Sequence, residues 1–398
     1  MKLIIEGLDH QGRGISKQNE KVYFIENALP NEEVEVEIIK EKKNIAEGKV
    51  IKYYKKNDSL REEPLCPYYG ICGGCDIMHI KNQNKYKQDK INNIINKYAN
   101  SNIKVEEVVE LNKYNYRNKI TLQVKNNKLG LYKKGSNDIV EINECLLVKE
   151  KINEIIKLIK ENQKLDNINQ IIIKSMEETM VTFITNKDIN INVDYLKKKV
   201  ESIYINDKLV YGKNKIIAQM DKYKFLVSSN SFFQVNTPVA TAMYKYIDSL
   251  IPKTNVIFDL YCGTGTIGIF VSNKADKVVG LEINKDAIKD ANENKKINNL
   301  NNIDFYESNA SNIKQKTNLK PDVIIVDPPR SGLDDKMIED IKNLKPNKLI
   351  YVSCDPMTLA RDLKKLDYNI ISIKGFNMFP NTYHVECVSV LHRKSLEK

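Results

Sequence analysis

The stretch Asp259-Leu-Tyr-Cys-Gly-Thr-Gly-Thr-Ile-Gly268 decides the fold of this chain. It follows the apolar segment NVIF and opens a helical pattern, and its three glycines have the spacing GxGxxG. A strand, glycine loop and helix in this order let a ligand approach the backbone closely. Glu282 ends the next predicted strand, where a carboxylate can meet ribose hydroxyls. The stretch therefore predicts a nucleotide-binding α/β sheet.

Two cofactor classes fit this loop: NAD(P) and S-adenosylmethionine (SAM). A dinucleotide needs an uncharged helix N-terminus for its pyrophosphate. Here Asp259 stands four residues before Gly263, where a carboxylate can face the positively charged amino-acid end of SAM. The sequence therefore favours SAM and leaves an NAD(P)-linked redox enzyme as the alternative.

From about residue 255 the chain alternates between strand and helix patterns. Helical patterns include 285–297 and 356–365. This alternation predicts a doubly wound, Rossmann-like sheet, with ligands outside the carboxyl ends of its strands. Seven strand candidates are present: NVIFDLYCG, KVVGLEIN, IDFYES, PDVIIVD, NKLIYVSCD, YNIISIKGF and HVECVSVLH.

Three of these strands end or begin with groups that can do chemistry. PDVIIVD ends in Asp327-Pro-Pro-Arg330; enzymes of this fold that methylate base amines carry an aromatic residue after the prolines, so Arg330 argues against that reaction. Cys354 follows KLIYVS and precedes a helix, a position that favours a thiolate nucleophile. Glu386 opens the last strand and is a candidate base. The alternative for Cys354 is a buried structural cysteine, which is how we interpret Cys262 and Cys387. The alternative for Glu386 is an exposed residue at the end of a strand.

The segment CPYYGICGGC contains Cys66, Cys72 and Cys75, and Cys145 lies 70 residues further on, in a predicted strand. Four thiolates can hold an iron–sulfur cluster or a zinc ion. Zinc sites usually show two CxxC pairs and only one is present, so a [4Fe-4S] cluster is preferred and zinc is the alternative. Three unliganded cysteines within ten residues of an intracellular protein would be unusual.

The sequence pattern divides the chain into three predicted units. Residues 1–57 alternate apolar and polar residues in short runs and predict a small OB-like β-barrel. Residues 58–230 begin with a linker (58–65), continue through the cysteine loop and a helix in QNKYKQDKINNIINKYA, and predict an α+β domain. Residues 231–398 form the predicted catalytic domain.

The composition narrows the functional class. The chain has 398 residues, 63 Lys and Arg against 52 Asp and Glu, and no apolar run long enough to cross a membrane. The positive charge is concentrated in residues 81–134, with 13 basic and 4 acidic residues. A basic segment indicates a polyanionic partner such as nucleic acid, although a solvated Lys-rich surface has the same composition. We expect a cytoplasmic protein with reduced thiols, acting as a monomer away from membranes.

Taken together, these motifs resemble the RNA 5-methyluridine methyltransferases, the family that contains the bacterial 23S ribosomal RNA uracil-C5 enzymes and the transfer RNA thymine-loop enzyme. The N-terminal barrel resembles the RNA-binding TRAM domain of that family. The cysteine motif resembles its iron–sulfur motif. YRNK (116–119), SFFQVN (231–236), DLYCGTG, EIN, DPPR, SCDP and HVE follow in the order of the family.

The resemblance implies a role for each matching residue. Cys354 would add to C6 of uracil and Glu386 would remove the proton from C5 after methylation. The implied SAM contacts are Gln234, Tyr261, Gly263, Glu282, Asn309 and Asp327. Asn309 departs from the Asp that related methyltransferases often use to hold the adenine amino group. The implied RNA-facing residues are Arg117, Lys119 and Arg330.

The resemblance implies an RNA substrate, with 23S ribosomal RNA favoured and transfer RNA as the alternative. The target base must leave its stack to reach the pocket. A non-catalytic RNA-binding protein with a structural metal centre is the other class that the basic segment and the cysteines allow.

Overall fold

The N-terminal sheet contains six strands in the order β1-β5-β6-β4-β3-β2. The computed structural model describes residues 1–99, 101–187 and 191–394 of the chain. In β5, Val34 and Val36 are buried, whereas Glu33, Glu35 and Glu37 alternate with them and are more exposed, which explains the alternation seen in the sequence. The strands are β1 (Lys2–Ile4), β2 (Gly7–Leu8), β3 (Gly14–Gln18), β4 (Lys21–Glu26), β5 (Glu33–Glu41) and β6 (Ile45–Lys55).

The segment expected to be a linker, 58–65, is anchored by a buried ion pair. The Arg61 guanidinium donates to both carboxylate oxygens of Glu32, each at 2.7 Å, and to the carbonyl of Asn27 at 2.9 Å. It also lies 4.8 Å from the ring centre of Tyr53. The N-terminal sheet is therefore fixed to the chain that follows it.

Helix α1 (Gln83–Tyr98) and strand β7 (Glu106–Val109) follow the cysteine loop. The Asn82 side chain caps α1 by accepting from the backbone N–H of Lys85. Ile91, Ile94 and Ile95 are buried on one face, as the sequence predicts. None of the described helices is long and apolar enough to cross a membrane.

A second sheet of seven strands, in the order β10-β9-β8-β11-β12-β13-β14, packs against one helix, and a two-stranded hairpin follows it. The prediction that Cys145 lies in a strand is wrong. Cys145 follows β10, and the Asn153 side chain takes both its backbone N–H and its carbonyl, which removes them from any strand pairing. The elements are β8 (Lys119–Lys125), β9 (Lys128–Tyr132), β10 (Ile139–Glu141), α2 (Glu150–Asn162), β11 (Ile168–Ser175), β12 (Thr179–Thr185), β13 (Ser202–Ile205), β14 (Lys208–Gly212), β15 (Ile216–Met220) and β16 (Tyr223–Val227).

The C-terminal sheet confirms the seven predicted strands and adds β7 at its edge, in the order β19-β18-β17-β20-β21-β23-β22-β7. Strands β17 to β21 are parallel, and β23 runs antiparallel to β21. The elements are α3 (Thr237–Leu250), β17 (Thr254–Leu260), α4 (Thr266–Phe270), β18 (Ala275–Glu282), α5 (Lys285–Ile297), β19 (Ile303–Glu307), α6 (Ile313–Lys316), β20 (Val323–Val326), α7 (Asp335–Leu344), β21 (Lys348–Ser353), α8 (Pro356–Leu366), β22 (Tyr368–Phe376) and β23 (Glu386–Arg393).

Candidate active site and cysteine cavity

The predicted catalytic and cofactor residues meet at one edge of the C-terminal sheet. Glu282 ends β18, Asp327 follows β20 directly, and Cys354 follows β21. Because β23 is antiparallel, its first residue lies at the same edge: Ser353 pairs with Cys387, next to Glu386. A thiol and a carboxyl group from neighbouring strands are thus brought together beside Asp327.

The glycine loop leaves room for a ligand. Gly263 and Gly265 have positive φ angles of 53° and 79°. A Cβ on Gly265 would lie 2.5 Å from the Phe305 ring, whereas a Cβ on Gly263 would meet no atom within 4 Å. The space above Gly263 is open to a ligand, whereas Gly265 is packed so closely that it leaves no room for a side chain. A loop that binds a ligand against its backbone has both features.

Asp259 is buried beneath this loop with one oxygen engaged. Its Oδ2 accepts from the backbone N–H of Gly268 at 2.8 Å. Its Oδ1 is buried and has no hydrogen-bond partner within the described part of the chain. Burial raises the pKa of Asp259 to about 7. A cation bound above the loop would satisfy this oxygen.

Glu282, Asn309 and Tyr261 surround the far side of the loop. Glu282 accepts from the backbone N–H of Gly263 at 3.2 Å and of Asn284 at 2.8 Å. The Asn309 amide oxygen already accepts from the backbone N–H and hydroxyl of Ser311, both at 3.0 Å. Tyr261 has a positive φ of 64°, and burial raises its pKa to about 12.

Gln234 reaches the same site from the segment before α3. It neighbours the Tyr244 hydroxyl, whose pKa is raised by burial and also by the charges of Asp327 and Glu386. Its backbone carbonyl accepts from the Asn118 side chain at 2.9 Å. The structure therefore brings Gln234 to the strand-end edge.

Two carboxyl groups of the site, those of half-buried Asp327 and buried Glu386, have raised pKa values. Burial raises the pKa of Asp327 to about 7. Burial, together with the charge of Asp327, raises the pKa of Glu386 to about 8, and Arg330 opposes that shift. A carboxyl group with a pKa near 8 is suited to accept and return a proton near neutral pH.

The Cys354 thiol differs from the prediction for a residue beside a helix N-terminus. Its pKa is raised to about 11, first by burial and then by the charges of Glu386 and Asp327, while Arg330 lowers it. The start of α8 is capped by Asp355, whose carboxylate accepts from two backbone N–H groups. The carboxylates and burial outweigh the helix terminus, so the thiol is protonated at neutral pH.

Arg330 and Arg361 play different parts at this edge. Arg330 is exposed, and its charge acts on both Cys354 and Glu386. Arg361 instead donates to the carbonyls of Ser331 and Leu333. It therefore supports the loop that contains Arg330.

The four predicted metal-ligating cysteines line one cavity of about 410 Å³. Burial raises the pKa of Cys72, Cys75 and Cys145, and the charges of the other cysteines add to each shift. The described residues contain no group of three or more His, Cys, Asp and Glu side chains that could hold a metal ion. The thiols are thus neighbours around a cavity rather than convergent ligands of a single ion.

Two residues expected to face RNA line the cysteine cavity. Arg117 and Lys119 lie in its wall, both half-buried, and the Nε of Arg117 is buried without a hydrogen-bond partner in the described chain. Arg117 lowers the pKa of Cys145. The charge of Arg117 therefore acts on at least one of the cysteines.

Sequence reasoning missed the residues that hold the loop before Glu386. Lys87 lies on the buried face of α1, where the Ile91 and Ile94 positions predict only apolar side chains, and it is fully buried. A lysine in an apolar helical stripe is a signal that could have identified it.

Comparison with known proteins identifies close relatives over the whole chain. Residues 79–394 match the tRNA (uracil-5-)-methyltransferase family, and residues 1–51 match the TRAM domain. A protein described as an uncharacterized RNA methyltransferase from Clostridium tetani is 34% identical, over 98% of this chain and 95% of its own. A protein of the same description from Aquifex aeolicus is 32% identical over 99% of both chains.

One solved structure resembles the whole fold. It is the Pyrococcus abyssi tRNA (uracil-54, C5)-methyltransferase in complex with S-adenosyl-L-homocysteine. It superimposes with a TM-score of 0.80 and 28% identity, covering 98% of this chain and all of the other. The Rossmann-like sheet and the N-terminal strands of this chain are thus similar in arrangement to those of that enzyme.

Proposed function

This chain belongs to the tRNA (uracil-5-)-methyltransferase family and is a SAM-dependent RNA uracil-C5 methyltransferase, and we propose that it methylates 23S ribosomal RNA with Cys354 as nucleophile and Glu386 as base. The observation that supports these roles is the meeting of a thiol and a carboxyl group from adjacent strands at the cofactor edge. Membership in the family excludes the alternative of an NAD(P)-linked redox enzyme.

The residues of the glycine loop fit SAM. The unpartnered Oδ1 of Asp259 can accept from the amino group of the cofactor, and Gly263 offers its open face. Glu282, at the end of β18, is suited to the ribose hydroxyls. Gln234, Tyr261, Asn309 and Asp327 are the further proposed contacts.

The proposed chemistry uses both side chains in turn. The Cys354 thiol first loses its proton to solvent, and the thiolate forms a bond to uracil C6, which places negative charge on the ring and makes C5 nucleophilic. SAM, when bound, would supply the electrophilic methyl group to C5 and would leave as the neutral thioether S-adenosylhomocysteine. The Glu386 carboxylate then removes the C5 proton, and the C6–S bond breaks to release Cys354 and the aromatic base.

Methyl transfer by single variants tests these roles. Wild-type protein is incubated with methyl-labelled SAM and unmodified ribosomal RNA, and 5-methyluridine is measured by mass spectrometry. Cys354→Ala is expected to abolish product, whereas Cys387→Ala, one strand away and buried, is the matched control. Full activity of Cys354→Ala would overturn the proposed nucleophile.

The choice of RNA rests on the barrel combined with the cysteine motif, which leans towards 23S ribosomal RNA. Transfer RNA is the second candidate, because the Pyrococcus relative is described as a tRNA enzyme. Mapping 5-methyluridine across both RNA classes in a deletion strain distinguishes them. A uridine lost only from transfer RNA would overturn the ribosomal assignment.

We also propose that the four cysteines hold a [4Fe-4S] cluster. Each thiolate of such a cluster binds a different iron, so the sulfurs surround a bulky centre, whereas zinc draws all its ligands to about 2.3 Å from one point. That all four cysteines line one cavity supports a shared centre, and the single CxxC pair favours the cluster, with zinc as the alternative. Iron, sulfide and zinc analysis of anaerobically purified protein tests this, with loss of iron expected in Cys72→Ala and retention in Cys262→Ala.

We propose further that residues 1–57, 58–230 and 231–398 act as TRAM, central and catalytic units. Residues 81–134 of the central unit would bind RNA through their basic surplus. Arg330, exposed beside Cys354, would contact the substrate nucleotide. Strand β7, within 58–230, pairs with β22 at the edge of the C-terminal sheet.

A further inference from the structure

The nine residues between β22 and β23, 377–385, deliver Glu386 to the active-site edge; we call them the base loop. The base loop is buried, and Asn377 and Asn381 are fully inaccessible to solvent. Asn381 has a positive φ of 68°. Polar groups of a buried loop need partners, and those partners decide where the loop sits.

Gln83 on α1 holds the middle of the base loop. Its side-chain amide donates to the Asn381 amide oxygen at 3.0 Å, and its own oxygen accepts from the Asn381 backbone N–H at 2.7 Å. This reciprocal pair fixes both the side chain and the backbone of one residue. The contact joins residues 298 positions apart in sequence.

Lys87, one turn further along α1, holds the start of the base loop. Its Nζ donates to the side-chain oxygen of Asn377 and, at 3.0 Å, to the carbonyl of Phe379. The Asn377 amide group in turn donates to Glu110. Burying a lysine lowers the stability of a protein unless its amino group is hydrogen-bonded. The contacts to the base loop therefore explain why a lysine can occupy this position.

The exit of the cysteine loop completes the contacts. The backbone N–H groups of Asp76 and Ile77 donate to the Asn381 carbonyl at 2.9 and 3.1 Å. The Tyr116 hydroxyl donates to the Pro380 carbonyl at 3.0 Å. The base loop is therefore held by chain that precedes the catalytic sheet in sequence.

We propose that Lys87 and Gln83 are positioning residues that clamp the base loop and thereby place Glu386 against the C5 proton. The proposal rests on the proposed role of Glu386 as base. Cys354 reaches the site on a different strand, β21, which pairs with β20 as well as with β23, so it keeps one strand partner that does not depend on the base loop. Loosening the clamp should therefore impair proton removal more than cysteine addition.

This difference gives a specific signature. Addition of Cys354 to the base precedes proton removal, and release of Cys354 follows it. An enzyme with a displaced base should accumulate the covalent methylated protein–RNA adduct. A displacement of about 1 Å lowers a rate on the order of 100-fold. A general loss of folding would instead lower adduct formation.

The test uses full-length Lys87→Met and Gln83→Met with labelled RNA and SAM. Adduct is measured on denaturing gels, and turnover and RNA affinity are measured in parallel. Both substitutions keep side-chain volume and remove the hydrogen bonds. We expect lower kcat, unchanged RNA affinity and an accumulated adduct. The second variant keeps the test decisive if Lys87→Met fails to fold.

Two controls separate this proposal from the proposed function. Lys348→Met removes another lysine that donates to a backbone carbonyl, at the opposite end of β21, and should behave as wild type. Glu386→Gln should accumulate adduct; if it does not, the proposed base role fails, and the clamp with it. Suppose that Glu386→Gln accumulates adduct. The clamp alone is then overturned if both folded clamp variants turn over like wild type, and it is also overturned if they lose adduct formation.

Discussion

The pH dependence of catalysis depends on the ionisation of Glu386. Burial raises its pKa from the usual 4.5 to about 8. Because a base acts in its deprotonated form, only about one enzyme molecule in ten is active in this respect at pH 7. Raising the pH to 9 ionises about nine in ten. This group alone therefore predicts a rise of roughly tenfold in kcat/KM between pH 7 and pH 9.

Tritium release from RNA labelled at uridine C5 measures this step directly. Cys354 also ionises, with a pKa of about 11, and adds its own rise over the same range. Adduct formation by Glu386→Gln reports the thiol without the base, so the two profiles can be compared. Since Arg330 lowers the pKa of Glu386, Arg330→Gln should move the base profile to higher pH.

One result would refute the reasoning. If kcat/KM of the wild type rises no more steeply from pH 7 to pH 9 than adduct formation by Glu386→Gln, Glu386 is not titrating in this range. A profile that falls with pH would have the wrong sign altogether, since it would require an active protonated group.

Three further predictions concern stability, cofactor and RNA. Arg61→Met leaves Glu32 buried without its cation and should lower the free energy of unfolding by about 3–5 kcal/mol, measured by urea denaturation; Lys56→Met, at an exposed pair, should change it little. Gly265→Ala should abolish SAM binding in calorimetry, because its Cβ would lie 2.5 Å from the Phe305 ring. Replacing three exposed lysines within 81–134 should weaken RNA binding and flatten its salt dependence, whereas an equal change in charge at the exposed lysines of α5 should have a smaller effect.

The parallel strands of the catalytic sheet could be predicted because each is a nearly continuous apolar run between polar turns. The site residues could also be located, because they stand at strand ends and parallel strands end at one edge. Asp327 and Cys354 are examples, since each directly follows a buried strand. For these residues the apolar run in the sequence is enough to predict where they lie in the sheet.

Other features depend on contacts that no local pattern contains. The segment EEVV has four residues and two charges, and it becomes β7 only because the edge of β22 is free to pair with it. Cys145 leaves its predicted strand because the Asn153 side chain takes its backbone groups. The pKa of Cys354 follows from carboxylates on other strands, which outweigh its place before a helix. Each outcome needed the tertiary fold.

The raised pKa values of Asp259, Asp327 and Glu386 share one cause, which is burial of negative charge with too little positive charge nearby. SAM has a sulfonium centre and an amino group, and a nearby cation favours the ionised form of a carboxyl group. Binding of the cofactor should therefore lower the pKa of Glu386 and of the Cys354 thiol together. In the free protein both groups are mostly protonated at neutral pH, and the bound methyl donor would supply a positive charge that favours their ionised forms. On this reasoning the pH profile of kcat lies at lower pH than that of kcat/KM, because kcat reports the loaded enzyme and kcat/KM the free one.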